Sequence, residues 1–375
     1  MKKDIKFIII LLLNLFVTVN VASQRYYWVG KGNQTSWGDI MNWSHTSGGA
    51  GGNAGGITDV PTNINTVVFD LNSTFLASRV IVISGAVQCD SLIVESNCPQ
   101  APVFNMGNNT SNTIVINGSL IFRRTGVTFS NIVTTQSADM LRFSGSRAGE
   151  TIQTNGAVVG STESFYNMYG GSAGVTFTGS GSWLLADDLN LGGELRIQGG
   201  TLNLNGKNAT VKAMNITGGK MIFPNSTITC AYSWNCSGGT TMTLTETTGS
   251  LIRIGSENFT TRTTDRYYNV EFFGCYYNHL MQYGTYNKIT FLNGNGNLGN
   301  TSSQLVTDSL VIATTNHYGF QRVTINKYFE AKPPVCGGQV RLHGNSASQT
   351  LASPLWAAAP FNSHPTCASP PGGAL

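Results

Sequence analysis

Charged residues are scarce in this 375-residue sequence. Lys, Arg, Asp and Glu together make up 11% of the residues, and the formal net charge at pH 7 is +4. Binding to nucleic acid phosphates needs a dense basic surface, and no dense basic stretch follows the N terminus, so nucleic acid is not an expected partner. Apolar residues make up 41%, which is enough to build a folded core.

Familiar motifs of metal and cofactor binding are also missing. The sequence has no Cys-x-x-Cys clip for zinc and no phosphate-binding loop, and its five histidines are scattered. Asp59 and Asp70 offer oxygen ligands that suit calcium, but neither lies in an EF-hand or a Gly-Gly-x-Gly-x-Asp repeat. We therefore expect no catalytic residue, no metal site and no cofactor.

Only one long apolar run is present, and it lies at the N terminus. Lys2, Lys3 and Lys6 precede an apolar stretch from Phe7 to Val19, and small residues follow. This order is typical of a secretory signal peptide, and at about 1.5 Å per residue the stretch is too short for a hydrocarbon core of roughly 30 Å. We predict cleavage near Ser23 or Gln24, and a chain that is secreted or held at the outer cell surface without an integral membrane span.

Seven cysteines follow the expected signal peptide. Oxidising extracellular surroundings favour disulfides. Cys89 with Cys98, and Cys230 with Cys236, are close enough in sequence to be candidate local disulfides. Spacing does not fix the connectivity, and the odd total leaves at least one thiol without a partner in the chain.

Helical periodicity is absent from the middle of the chain. Between about residues 66 and 331, short alternations of polar and apolar residues are separated by Gly, Asn and Ser, which is an all-β pattern. The predicted strands are 79–83, 90–94, 113–122, 140–143, 175–178, 194–197, 201–205, 251–254, 267–273, 288–292 and 322–329.

A seven-residue unit repeats within this region. Residues 192–198 read Gly-Gly-Glu-Leu-Arg-Ile-Gln, residues 199–205 read Gly-Gly-Thr-Leu-Asn-Leu-Asn, and the pattern begins again at Gly218. The apolar positions of each unit face one side of a strand, and glycine permits the bend to the next strand. The prediction is an all-β fold, predominantly a parallel β-solenoid (β-helix), with a β-sandwich array as the alternative. The short spacing favours the solenoid, because sandwich strands usually recur every 8 to 12 residues or so.

Composition divides the chain into four segments. Residues 1–23 form the expected signal peptide, and residues 24–65 form an aromatic and glycine-rich N-terminal cap. Residues 66–331 carry the repeat region. Residues 332–375 hold seven of the eleven prolines and show little alternation, so we expect an irregular tail there.

The segment after the expected cleavage point has a distinctive aromatic pattern. It reads Tyr-Trp-Val-Gly from Tyr27, Trp-Gly-Asp from Trp37, Asn-Trp-Ser from Asn42 and Thr-Val-Val-Phe-Asp from Thr66. This pattern resembles the repeats of large secreted surface proteins of gliding and other Bacteroidetes bacteria, and the resemblance extends over roughly residues 26–330. It implies a solenoid at the cell surface with an adhesive role. Such proteins often end in a sorting domain, which the tail of this chain does not resemble.

Trp28, Trp37 and Trp43 have two interpretations. Their indole rings suit stacking against the sugar rings of a polysaccharide, which makes them candidate ligand-binding residues. Alternatively, they close the end of the solenoid, because a terminal repeat must cover an otherwise exposed core. We favour the capping role.

Asp187 and Asp188 are the best pair of adjacent carboxylates. A glycosidase needs two carboxyl groups about 5 to 9.5 Å apart across the sugar bond, whereas neighbours in a strand point to opposite faces. The sequence therefore predicts a secreted structural or adhesive surface module without catalytic activity, whose partners are extracellular polysaccharide or a surface protein. The alternative is a carbohydrate-active β-helix protein that binds or cleaves polysaccharide.

Overall fold

The computed structural model describes residues 23–344, apart from positions 108, 131–138, 161–173, 256–258, 275–277, 282, 294, 299–304, 314–316, 321–322 and 332–340. Residues 1–22 of the expected signal peptide and most of the expected tail therefore lie outside the described residues. The fold is nearly all-β with about 4% helix, and its parallel sheets form a β-solenoid. The solenoid prediction is confirmed, and the β-sandwich alternative is not observed.

Thirty-three strands and three short helices follow one another along the described chain. The helices are two 3₁₀ turns, Ile40–Asn42 and Gly52–Gly55, and one α-helix, α1 (Leu244–Thr247). No helix among the residues described is long and apolar enough to cross a membrane. The strands are β1 (Arg25–Trp28), β2 (Trp43–Ser44), β3 (Thr66–Phe69), β4 (Val80–Val82), β5 (Ala86–Cys89), β6 (Leu92–Val94), β7 (Val103–Asn105), β8 (Thr113–Ile116), β9 (Leu120–Phe122), β10 (Thr128–Ser130), β11 (Asp139–Phe143), β12 (Glu150–Gln153), β13 (Val158–Val159), β14 (Gly174–Phe177), β15 (Ser182–Leu185), β16 (Leu189–Leu191), β17 (Glu194–Ile197), β18 (Thr201–Asn203), β19 (Ala209–Val211), β20 (Ala213–Ile216), β21 (Lys220–Ile222), β22 (Thr227–Cys230), β23 (Trp234–Cys236), β24 (Leu251–Ile254), β25 (Phe259–Thr260), β26 (Arg266–Phe272), β27 (Asn278–Met281), β28 (Gly284–Phe291), β29 (Asn295–Leu298), β30 (Leu305–Ile312), β31 (His317–Phe320), β32 (Val323–Ala331) and β33 (Arg341–Gly344).

Successive strands pass from one sheet to the next around the solenoid. Sheet 1 has nine strands from β2 and β1 to β21, sheet 2 has twelve from β5 to β33, and sheet 3 has nine from β13 to β32; β4, β7 and β10 form a separate three-stranded sheet. One coil therefore places β17 in sheet 2, β18 in sheet 1 and β19 in sheet 3 before β20 returns to sheet 2. The ladders are parallel except the β1–β2 pair, which is antiparallel.

A coil such as that of β17, β18 and β19 has three sides, one in each of sheets 1, 2 and 3, and we call each side a wall. The seven-residue repeat corresponds to one wall. Glu194–Ile197 and Thr201–Asn203, which carry the first two units, lie in sheets 2 and 1. The recurrence at Gly218 lies one coil later, because Thr201 pairs with Lys220. Three walls of this kind make a coil of about 20 residues, within the range of known solenoid repeats.

The core is formed by the apolar positions that alternate along each strand. Leu195, Met214 and Trp234 occupy neighbouring strands of sheet 2 in register, and all three are buried. Each buried side chain of this size contributes roughly 1.5 to 3 kcal/mol. A slip of one residue would turn the whole row to solvent, so burial fixes the register of the coils.

Glycine at the corners that follow the strands of sheet 2 is required by close packing. A Cβ atom at Gly218 would lie 2.1 Å from the carbonyl oxygen of Gln198, and one at Gly238 would lie 2.2 Å from that of Thr217. These distances are far below contact distance, so each corner stacks directly on the backbone of the previous coil. The following Gly219 has a φ of +61°, which glycine adopts without strain.

The cross-section of the solenoid changes after β21, where sheet 1 ends. Helix α1 occupies the next position, and Phe223 N donates a hydrogen bond to Glu246 O at 2.9 Å. From β24 onward, strands alternate between sheets 3 and 2, and the sheet 3 strands lengthen to seven to nine residues in β26, β28, β30 and β32. Asp265 is fully buried at this junction, where it accepts hydrogen bonds from Arg262 Nη2 (2.9 Å) and Met242 N (3.0 Å).

Candidate functional site

The three tryptophans of the N-terminal segment lie inside the molecule. Trp28, Trp37 and Trp43 are each 0% exposed, and their rings contact one another edge to face at centroid distances of 5.1 and 5.0 Å. Trp28 Nε1 donates to Thr74 O at 2.9 Å, and Trp43 Nε1 donates to Trp37 O at 2.8 Å. Because no indole face is open to a ligand, the arrangement fits a cap and does not fit a platform for sugar stacking.

The four cysteines of the expected disulfide pairs are buried free thiols. Cys230 lies on β22 in sheet 3, whereas Cys236 lies on β23 in sheet 2, so these two belong to different walls. Cys98 Sγ donates to Gln100 O at 3.2 Å. Neither of the pairs expected from sequence spacing is joined.

Asp187 and Asp188 hold the backbone of neighbouring coils. Asp187 accepts hydrogen bonds from the backbone nitrogens of Thr154 (2.9 Å) and Asn155 (2.5 Å), and Asp188 accepts one from that of Asn208 (2.8 Å). The two carboxylates therefore point to different coils. They lie in the turn between β15 and β16 and not in a strand, so it is the turn, and not strand alternation, that separates the two carboxylates.

A network of ionised side chains on the outer face of sheet 2 links three coils. Asp139 accepts hydrogen bonds from Arg142 Nη2 (2.7 Å) and Arg196 Nη1 (3.2 Å), and it also contacts the Thr176 hydroxyl. Arg196 Nη2 donates to Glu194 at 2.7 Å. Only 12% of the side chains of Asp139, Glu194 and Arg196 is exposed, so this network joins coils more than it displays charge. Sequence reasoning missed it, because its members are up to 57 residues apart.

Sheet 3 carries a regular row of polar side chains on its outer face, which we call the display row. Its members pair directly across consecutive parallel strands, and each is exposed or half-buried. Parallel strands are about 4.8 Å apart, so the row presents polar groups at a fixed short interval. The display row consists of Asn190, Thr210, Thr229, Arg253 and Glu271.

A groove of about 540 Å³ lies along the corner between sheets 2 and 1 in the first coils. We call it the corner groove. One side is formed by Ser23, the last residue of the expected signal peptide, and by cap residues Gln24 and 63–65; the other is formed by the corners at Asp90, Asn117 and residues 145–147. Pockets of about 300 to 1,000 Å³ commonly hold small ligands. The corner groove is therefore the candidate binding site.

Asp90 and Arg147 form the charged part of the corner groove. Arg147 Nη1 donates to Asp90 at 2.8 Å, and its Nε donates to Glu150 at 2.6 Å. The hydrogen bond to Asp90, together with the one to Glu150, raises the pKa of the Arg147 guanidinium against the opposing effect of burial. Asp90 is largely buried (8% of its side chain exposed), whereas 52% of the Arg147 side chain faces solvent.

Amide groups in the corner groove are held in place by hydrogen bonds. Asn117 Nδ2 donates to Asn63 O at 3.1 Å, and Asn117 Oδ1 accepts from Ser144 Oγ at 2.7 Å. Asn65 Oδ1 accepts from Thr62 N at 2.8 Å. These contacts fix the orientation of the lining before any ligand arrives. The sequence signal is a change of corner residues, from polar ones in the early coils to Gly-Gly pairs later.

Within the described residues, no group of three or more His, Cys, Asp and Glu side chains is arranged to hold a metal ion. Asp70 accepts hydrogen bonds from Asn72 N at 3.0 Å, and Asp59 accepts one from Val60 N at 2.8 Å. The two carboxylates that suggested calcium thus act as acceptors within their own turns.

Comparison with known proteins adds no further assignment. No family model, no curated protein and no solved structure matches this chain.

Proposed function

We propose that this protein is a secreted structural or adhesive surface module built on a rigid β-solenoid. The display row supports the proposal most directly, because its five side chains repeat in strict strand register along sheet 3. A surface of this kind offers a series of different weak polar contacts at one regular interval. Partners with a repeating structure, namely extracellular polysaccharide or a surface protein, match it.

The rigidity of the scaffold makes repeated weak contacts effective. Linked contacts raise the effective local concentration of each further contact, so total avidity can exceed single-site affinity by about 10² to 10⁴. The coils are held at fixed spacing by parallel ladders and by cross-coil ion pairs such as Arg253–Glu271 (2.7 Å). The scaffold therefore has little conformational freedom left to lose when it binds a partner.

A test of the adhesive role uses beads that carry the full mature chain at graded density. Adhesion to surfaces coated with polysaccharide or with cell-surface protein should rise more steeply than linearly with density. In the display row, T210K/T229K should weaken adhesion, whereas T201K/T217K adds the same charge on sheet 1 and at its corner with sheet 2, outside sheet 3. Equal adhesion by wild type and T210K/T229K would overturn the role of the display row.

The alternative function is a carbohydrate-active β-helix protein, and the corner groove is the observation that favours it. The groove supports binding of a polysaccharide more than its cleavage. Asp187 and Asp188 are engaged with the backbone of different coils, which does not place two carboxylates across one bond. A reducing-end assay on polysaccharides, with calcium and with chelator, separates the two activities. Product release that disappears in Asp187→Asn would establish an enzyme, whereas retained binding without product supports the adhesive module.

A further inference from the structure

The corner groove lies where the N-terminal cap runs beside the corners of the first coils. A Cβ atom at Gly145 would lie 1.6 Å from Asn117 O, and one at Gly179 would lie 2.1 Å from Gly145 O, so the corners stack directly on one another here as they do in later coils. The groove therefore lies between residues 63–65 of the cap and the stacked corners at Asp90, Asn117 and residues 145–147.

Three planar polar groups line the corner groove, beside a larger apolar surface. The amide of Asn117, the carboxylate of Asp90 and the guanidinium of Arg147 each present donors or acceptors in one plane. Such groups can bond two neighbouring hydroxyls of one sugar ring. Because each is already anchored by a hydrogen bond within the protein, little side-chain entropy is lost when a ligand binds.

Charge balance limits the class of ligand. The guanidinium of Arg147 is paired with the carboxylate of Asp90 in the groove and with Glu150 beside it. The positive charge is thus already neutralised, and an anionic ligand such as a phosphate or a uronate would gain no net attraction. A neutral ligand that is rich in hydroxyl groups fits this lining.

One apolar side chain completes the groove. Ile64 lines it and is 68% exposed, which is unusual for an isoleucine. Its position beside polar neighbours offers a contact for the apolar face of a sugar ring. Among the described residues, no aromatic ring lines the groove, because the tryptophans of the cap are buried.

We infer that the corner groove binds a short segment of a neutral oligosaccharide. This inference rests on the proposed adhesive function and deepens it, since the groove would provide the specific contact and the display row the repeated weak ones. The size of the groove, about 540 Å³, accommodates a few sugar units.

The test is isothermal titration calorimetry of the full mature chain. The ligands are three neutral tetrasaccharides (maltotetraose, cellotetraose and mannotetraose) and a tetragalacturonate. Ser146 lines the groove and is exposed, so Ser146→Trp should fill the groove without disturbing the core. Ser237 is exposed at the equivalent corner of a later coil and lies outside the groove, which makes Ser237→Trp the matched control.

We expect at least one neutral tetrasaccharide to bind, with a dissociation constant at least tenfold weaker in Ser146→Trp and within twofold of wild type in Ser237→Trp. Ile64→Ala, which changes only an exposed side chain, should weaken binding about three- to tenfold. Urea midpoints of all variants establish that each is folded.

Two results would overturn the inference. Equal binding by wild type and Ser146→Trp would place the sugar elsewhere and leave the adhesive function standing. Binding of tetragalacturonate alone, or of no tetrasaccharide at all, would reject a neutral sugar in the groove; adhesion of the bead-bound chain to protein-coated surfaces would then decide the adhesive function separately.

Discussion

At the scale of single residues, glycine serves two purposes in this solenoid. Gly218 has an ordinary backbone conformation, but a Cβ atom there would collide with Gln198 O at 2.1 Å. Gly206 has a φ of +72°, and a Cβ atom there would meet nothing within 4 Å. The first position is therefore restricted by packing between coils, and the second only by backbone conformation.

These two glycines give a matched pair of substitutions. Gly218→Ala should lower the free energy of unfolding by about 3 kcal/mol, because the corner must move away from the previous coil. Gly206→Ala should cost only about 1 kcal/mol, from the left-handed backbone alone. Urea unfolding of both variants measures the difference, and equal losses would contradict the stacked-corner geometry.

Buried thiols give the protein a pH dependence in the alkaline range. Burial raises the pKa of Cys98 and Cys236 to about 11, and it raises the pKa of Cys89 and Cys230 still further above the ordinary value of 9.0. Above pH 9 the unfolded chain therefore releases thiol protons that the folded chain keeps. Stability should fall as the pH rises, by about 1.4 kcal/mol per pH unit for each such thiol.

Urea midpoints at pH 8, 9 and 10 test this expectation. Cys230→Val removes one buried thiol and should make the decline with pH less steep, while leaving stability at pH 8 close to that of the wild type. Non-reducing peptide mapping should recover Cys89, Cys98, Cys230 and Cys236 as free thiols. An identical slope in wild type and Cys230→Val, or a recovered disulfide between these residues, would contradict the structure.

At the scale of secondary structure elements, helix α1 closes sheet 1. Glu246 accepts hydrogen bonds from Thr243 N and Thr243 Oγ1, both at 2.7 Å, and forms an ion pair with Lys220 on β21. Burial opposes ionisation of Glu246, but the bonds from Lys220 and Thr243 outweigh it and lower the pKa of its carboxyl group. The contribution of this contact is therefore full above pH 4.5 and is lost as the pH falls below that value.

Glu246→Ala should loosen this end of sheet 1. The expected cost is about 1 to 2 kcal/mol, from the lost helix cap and the lost ion pair. Hydrogen exchange should accelerate at Lys220–Ile222 and stay unchanged at Glu194–Ile197. The control is Glu95→Ala, which breaks the more exposed pair with Arg123 and should change stability by less than about 1 kcal/mol. Unchanged exchange in Glu246→Ala would show that α1 does not hold the sheet.

Sequence reasoning predicted many of the strands but not their assignment to walls. Predicted strands 194–197 and 251–254 match β17 and β24, whereas the predicted strand 113–122 is two strands, β8 and β9, on different walls. Alternation shows which side chains point inward, but not where the chain turns a corner. Asn117, between β8 and β9, marks such a corner with an ordinary polar residue.

Contacts between coils could not be predicted from the sequence, for a related reason. Arg142 pairs with Thr176, and Thr176 with Arg196, so the two successive coils differ in length. A constant repeat length would be needed to align one coil with the next. The network around Asp139 and the corner groove therefore emerge only from the structure, whereas the burial of Trp28, Trp37 and Trp43 agrees with the capping role favoured from the sequence.

At the scale of the whole molecule, the solenoid is a stack in which each coil forms β-ladders only with its neighbours. Ile197 pairs with Ile216, so these residues are equivalent in successive coils. Stability of such a stack is approximately the sum of the stabilities of single coils and of their interfaces. The unit that can be removed without disturbing the rest is the coil of three walls, although the repeat visible in the sequence has seven residues.

Two deletions distinguish the coil from the seven-residue unit. Removing residues 198–216 joins Ile197 to Thr217, which follows Ile216 in the native chain, so every later strand stays on its wall. We expect a folded rod that is shorter by one strand spacing, about 4.8 Å, with a urea midpoint close to that of the wild type. Small-angle scattering and circular dichroism measure the length and the β content.

Removing residues 199–205 deletes one complete seven-residue unit and preserves the inward and outward alternation. However, it moves each later strand to the wrong wall, so β19 would have to pair in sheet 1 instead of sheet 3. The corner glycines would then stack on strands of the previous coil instead of on its corners. We expect loss of cooperative unfolding and increased aggregation, even though fewer residues are missing than in the first deletion. If both deletion variants folded equally well, stacking of whole coils would not be what holds the solenoid in register.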